Sequence, residues 1–457
     1  MRKLSLHGGM HGRWCWVYDV SRFLSCDHPM TTTAAASARQ STLLIAVATA
    51  ILLMTMGARQ STGLFVLPIV QDTGIGIAAI SFALAIGQFV WGAVQPVFGA
   101  MADRFGAHRM IVAGGIVMAL GAALTPFLKS EVGLMITFGF LLAAGAGAGS
   151  FSILIGATAR NLSPDKRSTA AGFINAGGSM GQFLFAPLMQ FIIAAWGWAT
   201  GMYAVAVIAL LTIPLAFLLR TRGGAEADAG SQGGASTQTN GHATSEGSQQ
   251  TSAALTLREQ LRIAARDPSY IYLSLGFFTC GFHVAFLVTH FPSDLQMCGL
   301  TAGVAANSIA LIGLFNIAGS LSAGWLGQQY RMKYLLAGIY ASRAALIVIY
   351  LLMPKTALNV YLFAGGLGLT WLATVPPTSG IIGKLFGVRY LGTLFGIALL
   401  SHQIGGFLGA YMGGVALKYT GSYQWVWYAD VALAIAAALF NLPIREAKPV
   451  PRLATSH

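Results

Sequence analysis

The sequence has 457 residues, 55% of them hydrophobic and 9% charged, with a formal net charge of +13. Soluble domains carry about 25% charged residues, so a water-soluble enzyme with a large core is excluded, and lipid is the solvent this composition suits. Lys and Arg fall in short clusters between long apolar runs, not along one face or tail, which argues against a nucleic-acid partner and for topology selection in a membrane.

Along the chain, residues 1–29 interleave Arg2, Lys3 and Arg13 with Trp14, Trp16 and Tyr18. They lack the apolar stretch of ~7–15 residues that a signal peptide needs. Met30 offers an alternative start, so 1–29 are expected to be disordered or to reflect start-site choice. A spanning helix needs ~20 apolar residues. Candidates fall at 41–70, 78–101, 107–127, 132–157, 167–193 and 197–219, then at 269–293, 304–326, 334–353, 357–382, 390–417 and 422–443. The alternation of barrel strands is missing, so the expected fold is an all-α membrane protein of twelve helices. Between the sixth and seventh spans, 221–255 is rich in Gly, Ser, Ala, Thr and Gln and is expected to be a flexible linker. Thr256-Leu-Arg-Glu259 is a capping-box pattern. A short amphipathic helix is expected to follow it, with Leu257, Leu261 and Ile263 against the membrane, ending before Pro268.

Lys129, Lys355 and Lys418 fall in loops at one end of the spans; seventeen Lys and Arg, among them Arg104, Arg109, Arg331, Lys333 and Lys384, fall at the other. The positive-inside rule therefore puts the second end, and both termini, in the cytoplasm. The chain also repeats itself. An offset of 224 residues relates Gly57 to Gly281, Pro68 to Pro292, Gly172 to Gly396, Gly181 to Gly405 and Arg160 to Lys384, and Gly99 and Gly324 are one residue off it. Duplication predicts two pseudo-symmetric six-helix bundles, 41–220 and 269–444, with a tail 1–40, a linker 221–268 and a tail 445–457. Repeats of this kind place a substrate site near the bilayer midplane between the bundles.

The loop after the second span reads Gly99-Ala-Met-Ala-Asp103-Arg104-Phe-Gly106-Ala-His108-Arg109. It resembles the G-x-x-x-D-R-x-G-R-[RK] signature of major facilitator transporters. Ala107 and His108 depart from that pattern, and Arg109 stands one position on. The later copy, Gly324-Trp-Leu-Gly327-Gln328, lacks the Asp and Arg. The resemblance implies that Gly99, Asp103, Arg104, Gly106 and Arg109 form one strong latch of the cytoplasmic gate, and the later copy a weak one. Gly57-Ala-Arg59-Gln-Ser-Thr-Gly63, Gly281-Phe-His283, Pro376-Pro377-Thr378-Ser379 and His402-Gln403-Ile-Gly405-Gly406 resemble the bacterial monocarboxylate-transporter and oxalate/formate-exchanger branch. The acid-Gly first-span signature of the animal carriers is absent.

A charge at mid-span costs roughly 2.5–3.5 kcal/mol on insertion scales, so each one needs a reason. Arg59 either snorkels to the outer interface or meets substrate at a gate, and His283 holds its repeat-equivalent position. Arg343 either pairs with backbone carbonyls at a helix end or stands as a buried charge. His283 and His402 are either packing histidines or site residues. Gln182, Asn316 and Gln403 either bind substrate or join helices. Asp430 is the acid expected inside a span, near its outer end, with Asp72, Glu131 and Asp294 in outer loops. Such a pathway attracts anions and repels cations.

Cys15, Cys26, Cys280 and Cys298 show no metal-ligand spacing. No nucleophile elbow or phosphate loop appears, so neither a cofactor nor catalysis is expected. The expectation is a monomeric inner-membrane carrier of a small monocarboxylate-like anion, coupled to protons or exchanging anions. Arg59, His283, His402 and Gln403 would bind substrate, with Asn316 and Gln182 beside them. Rival readings are a drug or metabolite exporter of the same fold and a non-transporting sensor.

Overall fold

The computed structural model describes residues 32–159, 164–219, 256–387 and 390–446. The expectations for 1–29, for the linker 221–255 and for Arg160 lie outside them, as does the side chain of Asp103. From Leu44 onward the described residues form one compact unit, and every regular element in them is helical.

Ten helices are long and apolar enough to cross a membrane. One of them, Pro164–Leu218, is two helices meeting at Gly197, whose φ of 85° and ψ of 167° suit a residue without a side chain. Gln424–Asn441 adds a last pass, giving twelve among the described residues. The first span bends at Ser61: Thr32–Gln60 gives way to a 3-10 turn at Thr62–Phe65 and resumes as Val66–Thr73. The tenth is broken between Ala357–Thr370 and Val375–Phe386, where Pro376 and Pro377 lack the N–H groups that would continue the ladder. The fourth span, Glu131–Thr158, carries a π-helical stretch at Met135–Leu142.

The first six and last six helices meet along two seams. In one, the second span (Ile77–Phe105) runs antiparallel to the eleventh (Leu391–Thr420). A Cβ on Gly414 would lie 2.2 Å from Ser81 Oγ, and one on Gly92 would lie 2.1 Å from Gln403 Cγ. Phe82 packs edge-on to Phe407 and Tyr411 between those points. Beyond Gly92 and Gln403 the seam parts: Val97 is 57% exposed, and Gly99 and Gly396 face open space. In the other seam, Gly313 of the eighth span (Ala302–Gln329) packs on Ser179 and Gln182 of the fifth, while Gly172 faces open space and Phe173 is exposed. The first and seventh spans also touch, a Cβ on Gly63 lying 1.9 Å from the Val288 carbonyl oxygen. The interior is therefore closed at the end carrying Lys129, Lys355 and Lys418. It is splayed at the end carrying the basic clusters.

Glycines paired in the sequence hold matching places. Gly181 lies against the first span, its Cβ position 2.1 Å from Leu53 O, and Gly405 lies against the seventh, 2.0 Å from Phe278 O. A Cβ on Gly57 would lie 2.8 Å from Gly181 O and one on Gly281 1.7 Å from His402 O, whereas Gly172, Gly396, Gly99 and Gly324 all face open space. Backbone-to-backbone packing this close admits no methyl group, and overpacking costs about 1–3 kcal/mol. Gly281→Ala is expected to lower the melting temperature in detergent sharply. Gly396→Ala should leave it unchanged or slightly raised, since Ala favours helix over Gly. Equal melting of the two variants would contradict the assignment.

The amphipathic helix is Leu257–Arg266, and its capping box forms, with Thr256 N donating to Glu259 Oε2 at 2.9 Å. Gln260 and Ala264 are buried on its inner face. Leu257 and Ile263 are exposed, at 40% and 46%, and Leu261 is partly buried. At the basic end, Glu446 accepts the amide N–H groups of Met332 and Lys333 and the Lys384 ammonium (2.7 Å), tying the chain after the twelfth span to the start of the ninth. Its carboxylate completes the orphan donors of that helix N-terminus.

Candidate functional site

Arg59 ends the first long helix just before the bend at Ser61. Its side chain is 9% exposed, donates to Gln88 Oε1 and lies over the Trp91 ring, 4.1 Å from the centroid. Gln88 and Trp91 are one turn apart on the second span, so one helix face supplies both a neutral acceptor and an aromatic face. No carboxylate pairs with this guanidinium among the described residues. Gln403 reaches the same face from the eleventh span, against Gly92. Trp91 Nε1 and Gln403 Nε2 are buried without a partner. These groups sit where the seam between the second and eleventh spans parts, at the head of the space that opens toward the basic end.

Gln182 lies on the other seam, 1% exposed, with its Nε2 unpaired. Asn316 there is fully bonded: it donates to Ser179 Oγ (2.9 Å) and accepts from Leu372 N (3.0 Å) and Ser320 Oγ (3.1 Å), joining the fifth, eighth and tenth spans.

The two histidines are not beside Arg59. His283 is fully buried, its Nδ1 2.6 Å from Asp430 Oδ2 on the twelfth span and its ring edge-on to Trp371. The expected outer pair of cations is thus corrected, because the seventh span turns His283 into its own helix set, where an acid opposes it. Asp430 lies at the depth of His283, not near a span end. His402 packs its ring 4.9 Å from that of Phe277, with the Cys280 thiol beside it. Successive residues on a helix point about 100° apart, following from 3.6 residues per turn, so Gln403 meets the second span while His402 meets the seventh. Asp294 is also corrected: it lies within Pro268–Met297, accepting from Tyr350 Oη and Trp427 Nε1.

Arg343 is fully buried and donates to the carbonyls of Thr370 (2.5 Å) and Trp371 (3.1 Å), at the C-terminal end of a helix where a cation is favoured. In the signature loop, Gly106 (φ 91°) makes the turn between Ile77–Phe105 and Ala107–Leu124, a conformation that favours glycine. Arg104 and Arg109 are exposed, and Gly99 faces open space. The latch contact of Asp103 lies outside the described side chains. Gln88, Trp91 and Ser179 were not singled out from the sequence; Gln88, an amide in an apolar span one helix from Arg59, was the available signal.

The family model of the Major Facilitator Superfamily matches residues 45–409. The chain belongs to that superfamily. It is a multi-pass membrane transporter and not an enzyme. An oxalate:formate antiporter of Oxalobacter formigenes is 27% identical over 418 residues, covering 88% of this chain and 92% of that protein. Monocarboxylate transporter 13 of Rattus norvegicus is 26% identical over 396 residues, 85% of this chain and 86% of the relative. Among solved structures, a D-xylose–proton symporter superposes with a TM-score of 0.64 at 15% identity, covering 88% of this chain and 97% of that one. A bacterial homologue of the human lysosomal transporter Spinster, inward-facing and occupied, gives 0.67 at 14% identity, covering 88% and 96%. These likenesses establish the major facilitator fold, and the relatives match the branch that the sequence resembles.

Proposed function

We propose that this carrier moves a small monocarboxylate across the bacterial inner membrane by alternating access, in symport with a proton or in exchange for a second anion. The observation that carries the reading is Arg59: a cation 9% exposed, bonded to a neutral amide and an aromatic face, with no acid among the described residues. A buried charge without a counter-charge is costly, and a carboxylate entering from the open end would supply it. Trp91 Nε1 and Gln403 Nε2 add neutral donors suited to carboxylate oxygens. Similarity to the oxalate:formate antiporter and to monocarboxylate transporter 13 supports the same cargo class.

In this reading the chain acts as a monomer, with 41–220 and 269–444 rocking about the site. The basic end and both termini face the cytoplasm, as the three-to-seventeen division of Lys and Arg favours. The conformation described is then open inward. His283 and His402 leave the substrate set, which becomes Arg59, Trp91, Gln403 and, on the other seam, Gln182. A thermal-shift screen of small carboxylates, inorganic anions and sugars over pH 5–8 tests the cargo. Stabilisation by monocarboxylates is expected, and stabilisation by sugars alone would discard the reading.

A further inference from the structure

A second polar centre lies wholly inside the last six helices, at mid-depth and apart from Arg59. His283 of the seventh span and Asp430 of the twelfth touch at 2.6 Å with both side chains fully buried. Arg343 of the ninth span, also fully buried, faces the same histidine and binds the Thr370 and Trp371 carbonyls at the break in the tenth. Five buried polar atoms of this group have no hydrogen-bond partner: His283 Nε2, Asp430 Oδ1, Arg343 Nε and Nη1, and Trp371 Nε1. Native interiors leave few such atoms, and those that persist mark sites with a task. The charged and titratable groups facing this centre are Asp430 and Arg343, then Cys280 on the same helix as His283, and beyond it Tyr340 and His402.

Uptake of a proton by His283 adds one positive charge to this buried group. Nδ1–H then faces Asp430, which leaves the unpaired Nε2 as the atom that accepts it. An unbalanced charge held dry at mid-membrane is costly. Nε2 is sealed from water in the arrangement described here, so proton exchange needs an arrangement that lets water in. That difference couples proton occupancy to conformation.

We propose that the His283–Asp430 pair is the proton-binding site of the transport cycle, with His283 Nε2 exchanging its proton with water in a conformation that admits water to it and keeping its protonation state in this one. The inference rests on the anion-carrier reading and decides between its two coupling modes. One backbone contact links the site to the tenth span and another leads toward the substrate centre. Arg343 and Cys280 both bond the backbone at the break of the tenth span, through Trp371 O. Gly281, two residues before His283, packs on the backbone of His402, whose neighbour Gln403 packs on Gly92, next to the Trp91 that Arg59 stacks on.

The test uses the full chain in proteoliposomes with labelled lactate and an internal pH dye. For one proton per anion, a pH gradient of one unit drives about tenfold accumulation. In the wild type, lactate entry should carry protons with it. In His283→Gln and in Asp430→Asn, the gradient should drive no accumulation, while exchange of internal for external lactate persists within about twofold, a split that a merely unfolded variant would not show. If neither variant folds, labelled-histidine NMR of the wild type decides: one histidine must change protonation on saturation with lactate. Absence of such a histidine, or proton-driven accumulation unchanged in His283→Gln, overturns the inference while leaving the anion reading intact. No lactate flux in the wild type overturns both.

Discussion

Replacing Arg59 with Gln should reduce lactate uptake into proteoliposomes by at least about 30-fold, because truncating one partner of a buried charge pair costs about 2–5 kcal/mol and each 1.4 kcal/mol is tenfold. The ligand-free protein should behave in the opposite way. Arg59 is held by a neutral acceptor and an aromatic ring, with no acid paired to it. Removing its charge therefore relieves an uncompensated burial, and Arg59→Gln should melt no lower than the parent. Arg59→Lys keeps the charge but loses the planar fork and the stacking on Trp91, so uptake should recover only in part. A variant that transports normally would remove Arg59 from the site. One that fails to transport because it no longer folds would make Arg59 a structural residue.

Gly63→Ala should act through conformation and not through binding. The 3-10 turn at Thr62–Phe65 closes one end of the interior by resting on the seventh span, and a Cβ on Gly63 would lie 1.9 Å from Val288 O and 3.0 Å from Thr289 O. Both obstacles are backbone, so the turn must lift. The closed end should open and the arrangement described here should lose population. Uptake should fall about tenfold or more, and a cysteine placed at Ser61, fully buried here, should become reactive to a membrane-impermeant thiol reagent from that end. That labelling belongs in a chain otherwise free of cysteine. Transport and labelling like the parent's would show that this seam does not gate.

Much of the architecture could be read from the chain because membrane helices must be long, apolar and internally bonded. The same constraint made glycine informative. Gly57, Gly181, Gly281 and Gly405 recur at a fixed offset because two backbones approach there, and the approach distances show it. Side-chain direction was not available in that way. His283 shares the repeat position of Arg59, yet its partner Asp430 lies 147 residues away on a helix whose facing was undetermined. The acid therefore looked remote from the polar residues it opposes. His402 and Gln403 are adjacent in sequence, but one turns to the seventh span and the other to the second. For Arg343 the sequence leaves both outcomes open; its partners are carbonyls freed by the break at 371–374, a feature that Pro376 and Pro377 announce without saying which side chain will use it.

Fewer charges stand between the helix sets than the sequence suggests. Of the cationic groups and histidines in the spans, Arg59 stands at the seam between the helix sets, whereas Arg343, His283, His290 and His402 are buried inside the last six helices. A structure of the protein saturated with lactate tests this most directly. The lactate carboxylate should lie within hydrogen-bond distance of the Arg59 guanidinium, with Trp91 Nε1 and Gln403 Nε2 turned toward it. A lactate carboxylate bound elsewhere in the protein, with Arg59 still bonded only to Gln88, would contradict it.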